Sequence, residues 1–268
     1  MTRFERDSAV AIAADGAFDA RIDRGWWIVM GANGGYVASI VLRALIAAVD
    51  DAERTPRSLT IHYVSPAAEG PARVHVRQER SGRSLSALSA RLEQDGRLVA
   101  LALASFGRAR DSLEFQDLHM PEVASPEKLA VLAPTGERTV PMRERFETRP
   151  AFGAIGQGTS SRALVGGWLR LAEPFVPDAP ALAMFCDAWW PAVMQRQVSG
   201  DHSVRGVPTI DLSVHFRAPL PANARPEDSY LCVFRSQIAR DGYVEEDGEI
   251  WTRDGTLLAQ SRQLALLT

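Results

Sequence analysis

Asp187 is an acidic residue placed where a helix is expected to lose its regularity. It lies in the run FCDAWWPAV, four residues before Pro191, within a segment whose apolar residues recur at helical spacing. In a continuous helix the N–H of residue 191 would donate to the carbonyl of Asp187, but proline has no N–H. We therefore predict that the helix kinks or restarts near Asp187. A carboxylate there can orient or deprotonate a water molecule, or it can only cap the restarted helix, and the residues alone leave both interpretations open.

Polar groups that would complete such a site occur at two other places in the chain. Asn33, Gly34 and Gly35 begin a predicted helix, where unpaired backbone N–H groups and the positive end of the helix dipole collect. We expect them to bind a substrate oxygen, because glycine permits close approach to the backbone; the alternative is tight packing against a strand. Gln263 lies on the less charged face of a predicted strand. A buried amide without partners costs about 1–3 kcal/mol, so Gln263 is expected to bind a catalytic water and the Asp187 carboxylate, or else the backbone.

The sequence lacks motifs of two common classes of hydrolase. The chain has no G-x-S-x-G elbow of an α/β-type serine hydrolase and no H-E-x-x-H metal motif. Cys186 and Cys232 belong to no CxxC or Cys/His pattern and are expected to be buried, reduced thiols. Water attack assisted by a carboxylate is then the simplest hydrolytic chemistry, and it requires neither a metal nor a cofactor.

The elements that must position these residues form an internal repeat. Residues 59–66, LTIHYVSP, align with residues 212–219, LSVHFRAP, at an offset of 153. Alternating apolar residues predict a strand in each copy, and apolar residues at helical spacing predict a preceding helix over 34–49 and over 181–195. Further strands with Asp-Gly turn signals follow in both copies, over 73–80, 85–93, 97–106, 230–239, 243–251 and 256–267.

Each half is therefore predicted to be one helix wrapped by a curved antiparallel sheet, which makes the fold class α+β. We divide the chain into an N-terminal unit over 1–106, a proline-rich connecting segment over 107–160 and a C-terminal unit over 161–268. The connecting segment is expected to cross the surface and pack on the outside of one half, with a short helix near 127–132.

The ordered motifs of both halves resemble those of double-hotdog acyl-CoA thioesterases. The first half carries NGGYVASIVLRAL, IHYVSPA and QDGRLVALALASF. The second half carries FCDAWWPAV, TIDLSVHFRAPLP and DGTLLAQSRQLALL, and it is similar to the catalytic half of the acyl-CoA thioesterase II type. The resemblance implies a double hotdog of two tandem units, and an enzyme of fatty acid metabolism that hydrolyses an acyl-CoA thioester to a free acid and coenzyme A.

The resemblance also implies a catalytic set, because in that family an Asp, a Thr and a Gln hold the hydrolytic water. By motif these residues are Asp187, Thr209 and Gln263. Thr209 fits least well, since strand alternation turns it away from the apolar face unless the strand start twists or bulges. The repeat places residues without such chemistry at the matching first-half positions, which are Gly34, Pro56 and Ala104. The N-terminal unit is therefore expected to be catalytically vacant.

The composition is typical of a soluble globular protein. Of 268 residues, 46% are hydrophobic and 24% charged, and 30 Lys+Arg against 33 Asp+Glu give a net charge of −3, which disfavours a nucleic-acid partner. The charged N-terminus lacks the core of a signal peptide, and no apolar run is long enough to span a bilayer, so a cytoplasmic location without membrane contact is expected. The partner implied is an acyl-CoA substrate. Pairing with another copy of the chain is left open.

Two other functions stay open at this stage. A protein of the same fold can bind acyl-CoA without hydrolysing it, and slow or absent thiol release would favour that function. Hotdog folds also host hydratases and dehydratases, in which a His/Glu or Asp/His pair is expected, and the sequence shows no convincing pair near the predicted helices.

Overall fold

The computed structural model describes residues 1–133, 140–153, 160–196 and 204–268. Within these ranges the helices are α1 (Arg3–Asp7), α2 (Gly34–Val49) and α3 (Ala179–Phe185). Short 3-10 segments occur at Arg24–Trp26, Pro126–Lys128, Pro141–Arg145 and Ala192–Gln195. The strands, numbered in chain order, are β1 (Ala11–Ile12), β2 (Phe18–Ile22), β3 (Trp27–Ile28), β4 (Gly31–Ala32), β5 (Thr55–Tyr63), β6 (Gly70–Ser81), β7 (Leu85–Gln94), β8 (Arg97–Gly107), β9 (Phe146–Phe152), β10 (Ala163–Leu171), β11 (Thr209–Phe216), β12 (Tyr230–Ser236), β13 (Ala239–Arg240), β14 (Tyr243–Trp251) and β15 (Leu257–Leu266).

Most of the strands join into one antiparallel sheet that runs through both halves of the chain. Its order is β1-β2-β6-β7-β8-β5-β11-β15-β14-β12-β10-β9, with β13 paired to β14 outside this path. Strands β3 and β4 form a separate two-stranded hairpin just before α2. The halves meet where β5 pairs with β11. This architecture agrees with the α+β double hotdog predicted from the sequence.

The junction of β5 and β11 shows that the strands of the two halves are related by a local twofold axis. Ser213 pairs with Thr60 in the ladder, and their hydroxyl oxygens are 3.0 Å apart. The two positions are separated by 153 residues, which is the offset of the predicted repeat. Equivalent residues therefore face each other across the axis.

The two central helices differ, because the second one is broken. Helix α2 is continuous over 16 residues and buries most of its side chains, including Tyr36 and Leu42. Helix α3 ends at Phe185, and a 3-10 segment follows only at Ala192–Gln195. The predicted interruption near Asp187 is confirmed, whereas the prediction of an α-helix over 181–195 is wrong because only a 3-10 turn forms after Pro191.

This break changes the correspondence between the halves in the helical region. Helix α2 ends at Val49 and the 3-10 segment of the second half ends at Gln195, an offset of 146 residues rather than 153. Counted from these ends, Asp187 falls at Val41 in the middle of α2, whereas the strand offset places it at Gly34. Val41 is buried and apolar, so it offers no carboxylate at the matching place.

Helices α2 and α3 pack antiparallel to each other within the sheet. The amide of Gly35, at the start of α2, donates to Asp187, just beyond the end of α3. Further along α2, Arg43 forms a 3.0 Å ion pair with Asp178, which caps the start of α3. The antiparallel packing therefore brings the first N–H groups of α2 to the residue that follows α3.

The connecting segment contributes to the edge of the sheet. Strand β9 belongs to it, was not predicted from the sequence, and pairs with β10 as the last strand of the order. The short helix predicted near 127–132 is a 3-10 turn at Pro126–Lys128. In the described ranges of the chain, no helix is both long enough and apolar enough to cross a membrane.

Candidate active site

The carboxylate of Asp187 is held by groups from the other half of the chain. Its Oδ2 accepts the Nδ2–H of Asn33 at 2.8 Å and the backbone N–H of Gly35 at 2.9 Å. Asn33 Nδ2 also donates to the backbone carbonyl of Asp187 at 2.8 Å. Because Asn33 caps α2 through its Oδ1, which accepts the N–H of Tyr36 at 2.9 Å, one side chain both starts the helix and fixes the acid.

This placement excludes one of the two interpretations of Asp187 that the sequence left open, namely the capping of the restarted helix. The 3-10 segment that follows is preceded by Pro191, and no side chain caps it. Asp187 instead lies at the N-terminus of α2, where the helix dipole and the free N–H groups stabilise negative charge. The capping interpretation for the restarted helix is therefore wrong.

Glycine is required at the start of α2 because the two helices approach so closely there. A Cβ at Gly35 would lie 2.7 Å from the carbonyl oxygen of Met184 and 2.9 Å from the Cβ of Asp187. A Cβ at Gly34 would lie 3.0 Å from Asp187 Oδ2 and 3.0 Å from the Tyr63 hydroxyl. That hydroxyl donates to the carbonyl of Gly34 at 2.7 Å and so holds the loop entering the helix.

Asn33, Gly34 and Gly35 thus face a carboxylate of the protein itself. The sequence led us to expect that their donors bind a substrate oxygen, but here Asn33 and Gly35 both donate to Asp187. Proximity between the start of α2 and Asp187 could be inferred only from the repeat, which places the two helices side by side.

Burial raises the pKa of Asp187 to about 6, although the N–H of Gly35, the amide of Asn33 and the N–H of Gly34 act in the opposite direction. The residue is half-buried, so it keeps some contact with solvent. A carboxyl group with this pKa is ionised at neutral pH and is a stronger base than an ordinary aspartate.

A second polar group lies on the strands that enclose α3. Gln263 on β15 is buried, and its Oε1 accepts the hydroxyl of Thr209 at 2.8 Å. Its Nε2 donates to Glu246 Oε1, on the neighbouring strand β14, at 2.8 Å. Among the described residues both partners of the amide are side chains, and no bond to the backbone is found there. The carboxylate that binds Gln263 is Glu246, so the expectation that it would be Asp187 is wrong.

A β-bulge brings Thr209 into this group. The ladder of β11 and β15 pairs Thr209 with Ala265 and Asp211 with Leu264, so that Ile210 is an extra residue. Cross-strand partners point to the same face of a sheet, and Ala265 is buried. The bulge therefore turns Thr209 inward, as the sequence required for its proposed role, although simple alternation pointed it outward.

Glu246 was missed by the sequence analysis. It is 7% exposed, and its Oε2 accepts the backbone N–H of Ala192 at 2.5 Å. Burial raises its pKa to about 7 against the opposing bonds from Ala192 and Gln263, and the charge of Asp187 adds to the rise. A usable signal existed, since alternation in β14 places Glu246 on the same face as the buried Val244 and Gly248.

Asp187 and its partners lie near Gln263 and its partners, since the charge of Asp187 acts on Glu246. In the described part of the chain no direct hydrogen bond joins the two sets of residues. Cys186, next to Asp187, interacts through its thiol with the hydroxyl of Ser261, two residues before Gln263. Burial raises the pKa of this thiol to about 12, so Cys186 stays protonated. The arrangement thus provides two carboxyl groups of raised pKa, Asp187 and Glu246, near a fixed amide and hydroxyl, which suits activation of a water molecule more than covalent catalysis.

Two antiparallel units that enclose paired helices, with an aspartate anchored between those helices, define a double-hotdog protein with an acidic polar site. Comparison with known families gives the same class. The model described as the acyl-CoA thioesterase N-terminal domain matches residues 23–107, and the model of the acyl-CoA thioesterase C-terminal domain matches residues 123–267. The chain belongs to the acyl-CoA thioesterase family.

Solved structures with the hotdog fold resemble the chain over its full length. A protein of unknown function from Alicyclobacillus acidocaldarius has 26% sequence identity and a TM-score of 0.84, with 100% of this chain and 98% of that chain covered. A putative thioesterase II from Thermobifida fusca has 22% identity and a TM-score of 0.84 at the same coverage. An acyl-CoA thioesterase II from Mycobacterium marinum has 21% identity and a TM-score of 0.77, with 99% and 98% covered. No curated protein sequence matches the chain.

These comparisons confirm the fold class and the family that the sequence motifs indicated. They do not test the roles of individual residues or the boundaries at 106 and 160, which stay predictions.

Proposed function

We propose that the protein hydrolyses an acyl-CoA thioester, with Asp187 as the general base and with Gln263 and Thr209 as ligands of the attacking water. The observation that carries this proposal is the Asp187 carboxylate, fixed by Asn33 and Gly35 at the N-terminus of α2. Family membership supports the substrate class, and the raised pKa of Asp187 supports its role as a base.

In the proposed reaction the water oxygen bonds to the thioester carbonyl carbon while Asp187 takes one proton of the water. The tetrahedral intermediate then collapses, the C–S bond breaks, and the sulfur leaves as a thiolate that receives the proton from Asp187. The products are a carboxylic acid and free coenzyme A, so atoms and charges balance without a metal or an oxidant.

Asn33, Gly34 and Gly35 act twice in this scheme. Before the reaction they hold and orient the base. When Asp187 takes up the proton, its carboxyl group loses negative charge and binds the N–H of Gly35 less strongly. That N–H and the positive end of α2 can then interact with the carbonyl oxygen, where negative charge develops.

The test is thiol release from acyl-CoA substrates of increasing chain length, with Asp187→Asn as the matched variant. The amide cannot accept the proton, so we expect the rate to fall by about 10²–10⁴-fold, the usual contribution of a general base. A folded Asp187→Asn protein with the wild-type rate would remove Asp187 from the mechanism. Tight binding of acyl-CoA by the wild type without any thiol release would instead support the non-hydrolytic binding protein.

The place of this activity in fatty acid metabolism and its cytoplasmic location belong to the same proposal, and detection of the acids released in extracts of the cytoplasm would test both.

A further inference from the structure

Glu246 connects the two parts of the candidate site. One carboxylate oxygen accepts the amide of Gln263 on β15, and the other accepts the N–H of Ala192, five residues after Asp187. We propose that Glu246 is a positioning residue, which orients the Gln263 amide and holds the segment following Asp187 against the strand that carries Gln263. This inference rests on the proposed function, because it concerns the same water-binding amide.

The orientation of the Gln263 amide depends on Glu246 and not on Thr209. A hydroxyl group both donates and accepts, so Thr209 at 2.8 Å can bind either end of an amide. In its ionised form the Glu246 carboxylate only accepts, and it then selects the orientation in which Nε2 faces it. The second N–H of Nε2 and the second lone pair of Oε1 are then left for the reacting groups.

The hydrogen bond from Ala192 to Glu246 attaches the segment that follows Asp187 to the strands that carry Glu246 and Gln263. Pro191 precedes the 3-10 segment and has no N–H. The first backbone N–H at the start of this segment is therefore that of Ala192. Glu246 accepts this N–H in a buried place. The chain from Asp187 to Ala192 is thereby attached to β14, which pairs directly with β15.

The charge of Glu246 is coupled to the site that it positions. Its titratable neighbours are Asp187 and Glu245, and both raise its pKa in addition to burial. The two N–H donors act in the other direction, since each binds the ionised form more strongly. Removal of this carboxylate should therefore change the pH dependence of the reaction as well as its rate.

The decisive variant is Glu246→Gln, which keeps the shape but offers an acceptor to only one of the two donors. We expect kcat to fall by about 10²-fold with a much smaller change in KM, because a displaced catalytic group slows the chemical step more than it weakens binding. The acidic limb of the kcat profile should move to lower pH, because the titration of Glu246 near pH 7 is removed and that of Asp187 near pH 6 remains.

Glu249→Gln is the matched control. Glu249 is also a buried glutamate of β14, but it binds Arg235 at 2.9 Å and Trp251 instead of the site. We expect wild-type kcat and an unchanged pH profile for this variant. If Glu246→Gln fails to fold, Glu246→Asp replaces it: this shorter carboxylate cannot reach both donors, and it should lower kcat while the protein stays folded.

The outcomes separate this inference from the proposed function. Wild-type kcat and pH profile in a folded Glu246→Gln or Glu246→Asp protein would overturn the positioning role. Equal losses in the Glu246 and Glu249 variants would also overturn it, since they would indicate a general effect of buried charge. Full activity of Asp187→Asn would contradict the proposed function itself, whatever the Glu246 variants do.

Discussion

The two halves of the molecule have the same strand register, but three matched positions carry polar residues in the second half and apolar residues in the first. In the first half β8 places Ala104 opposite Leu59, and in the second half β15 places Gln263 opposite Leu212, at equivalent positions of the ladder. The next strand outward pairs Leu88 with Ala104 and Glu246 with Gln263. At the bulge, Pro56 stands where the second half has Thr209.

The three polar residues of the second half, Thr209, Gln263 and Glu246, form a closed polar set, which means that each of them binds another member. The first-half set of Pro56, Ala104 and Leu88, by contrast, needs no partners. A buried polar network is stable when all of its members are paired and costly when one is missing. The same strand register can therefore hold three polar residues or three apolar residues. A mixture of the two would leave a buried polar group without its partner.

The first half nevertheless takes part in the site. Its Asn33 and Gly35 bind Asp187, the proposed base, which belongs to the second half. The comparison is thus between a half that carries the proposed reacting groups and a half that anchors one of them, and the following variants are chosen to break or sharpen that division.

Leu88→Glu should have the largest effect, because it transfers one member of the polar set into the half that lacks the others. The new carboxylate would lie beside Ala104 without donors, and we expect the free energy of unfolding to fall by about 3–5 kcal/mol. Denaturant unfolding measures this, with Leu88→Met as the control for a changed side chain. A loss no greater than that of Leu88→Met would contradict the idea of a closed polar set.

Gln263→Ala makes the second half resemble the first at the position of Ala104. We expect thiol release to fall by about 10²-fold, since loss of one fixed donor at a reacting oxygen typically costs this much. Steady-state rates at saturating acyl-CoA measure it. Ala104→Ser, a small change at the matching first-half position, should leave the rate at the wild-type value, and similar losses in both variants would argue against a single site.

Stability should depend on pH through the two buried carboxyl groups of the second half. The pKa of Asp187 is raised to about 6 and that of Glu246 to about 7, so the folded protein binds more protons than the unfolded chain between about pH 4 and pH 7. The free energy of unfolding therefore falls as pH rises through this range.

Asp187→Asn removes one of these titrations. Relative to that variant, the wild type should lose about 2 kcal/mol of stability between pH 4 and pH 7.5, as expected for a shift of about two pKa units with partial solvent contact. Denaturant midpoints at several pH values measure it. A constant difference between the two proteins would show that the pKa of Asp187 is not raised.

Thr209→Val should have the smallest effect of the four. It removes only the hydroxyl that binds Gln263 Oε1, and Glu246 still orients the amide, so we expect about a 10-fold loss in kcat. Thr60→Val removes a strand hydroxyl at the junction of the halves and serves as the control, with the wild-type rate expected. A loss with Thr209→Val as large as that of Gln263→Ala would assign Thr209 a more direct role.

Much of the fold followed from the sequence, because the strand repeat and the Asp-Gly turns are local signals. The alignment of the two central helices did not follow from the sequence. The repeat offset was taken from strands, and it does not account for the end of α3 at Phe185. Strand β9 was missed because it lies in a proline-rich segment and gains its partner only from β10. Long-range pairing of this kind leaves little trace in local composition.

For the site, sequence reasoning identified residues but not all of their contacts. The inward turn of Thr209 had a hidden signal in Pro56, since a proline within a central strand indicates a bulge and the repeat transfers that bulge to the second half. The one sequence signal for Glu246 was its position on a strand face shared with Val244 and Gly248, where a glutamate is unusual. The bond between Gly35 and Asp187 joins residues 152 positions apart, and it requires the packed helices to be known.

The shared anchoring of Asp187 has a consequence for how this chain can change during evolution. Under the proposed mechanism the N-terminal copy cannot be shortened or discarded, because the asparagine and glycine that hold the aspartate belong to it. Selection on turnover should therefore preserve the start of α2 as strictly as the acid itself, and two separately expressed halves should regain activity only when they reassociate.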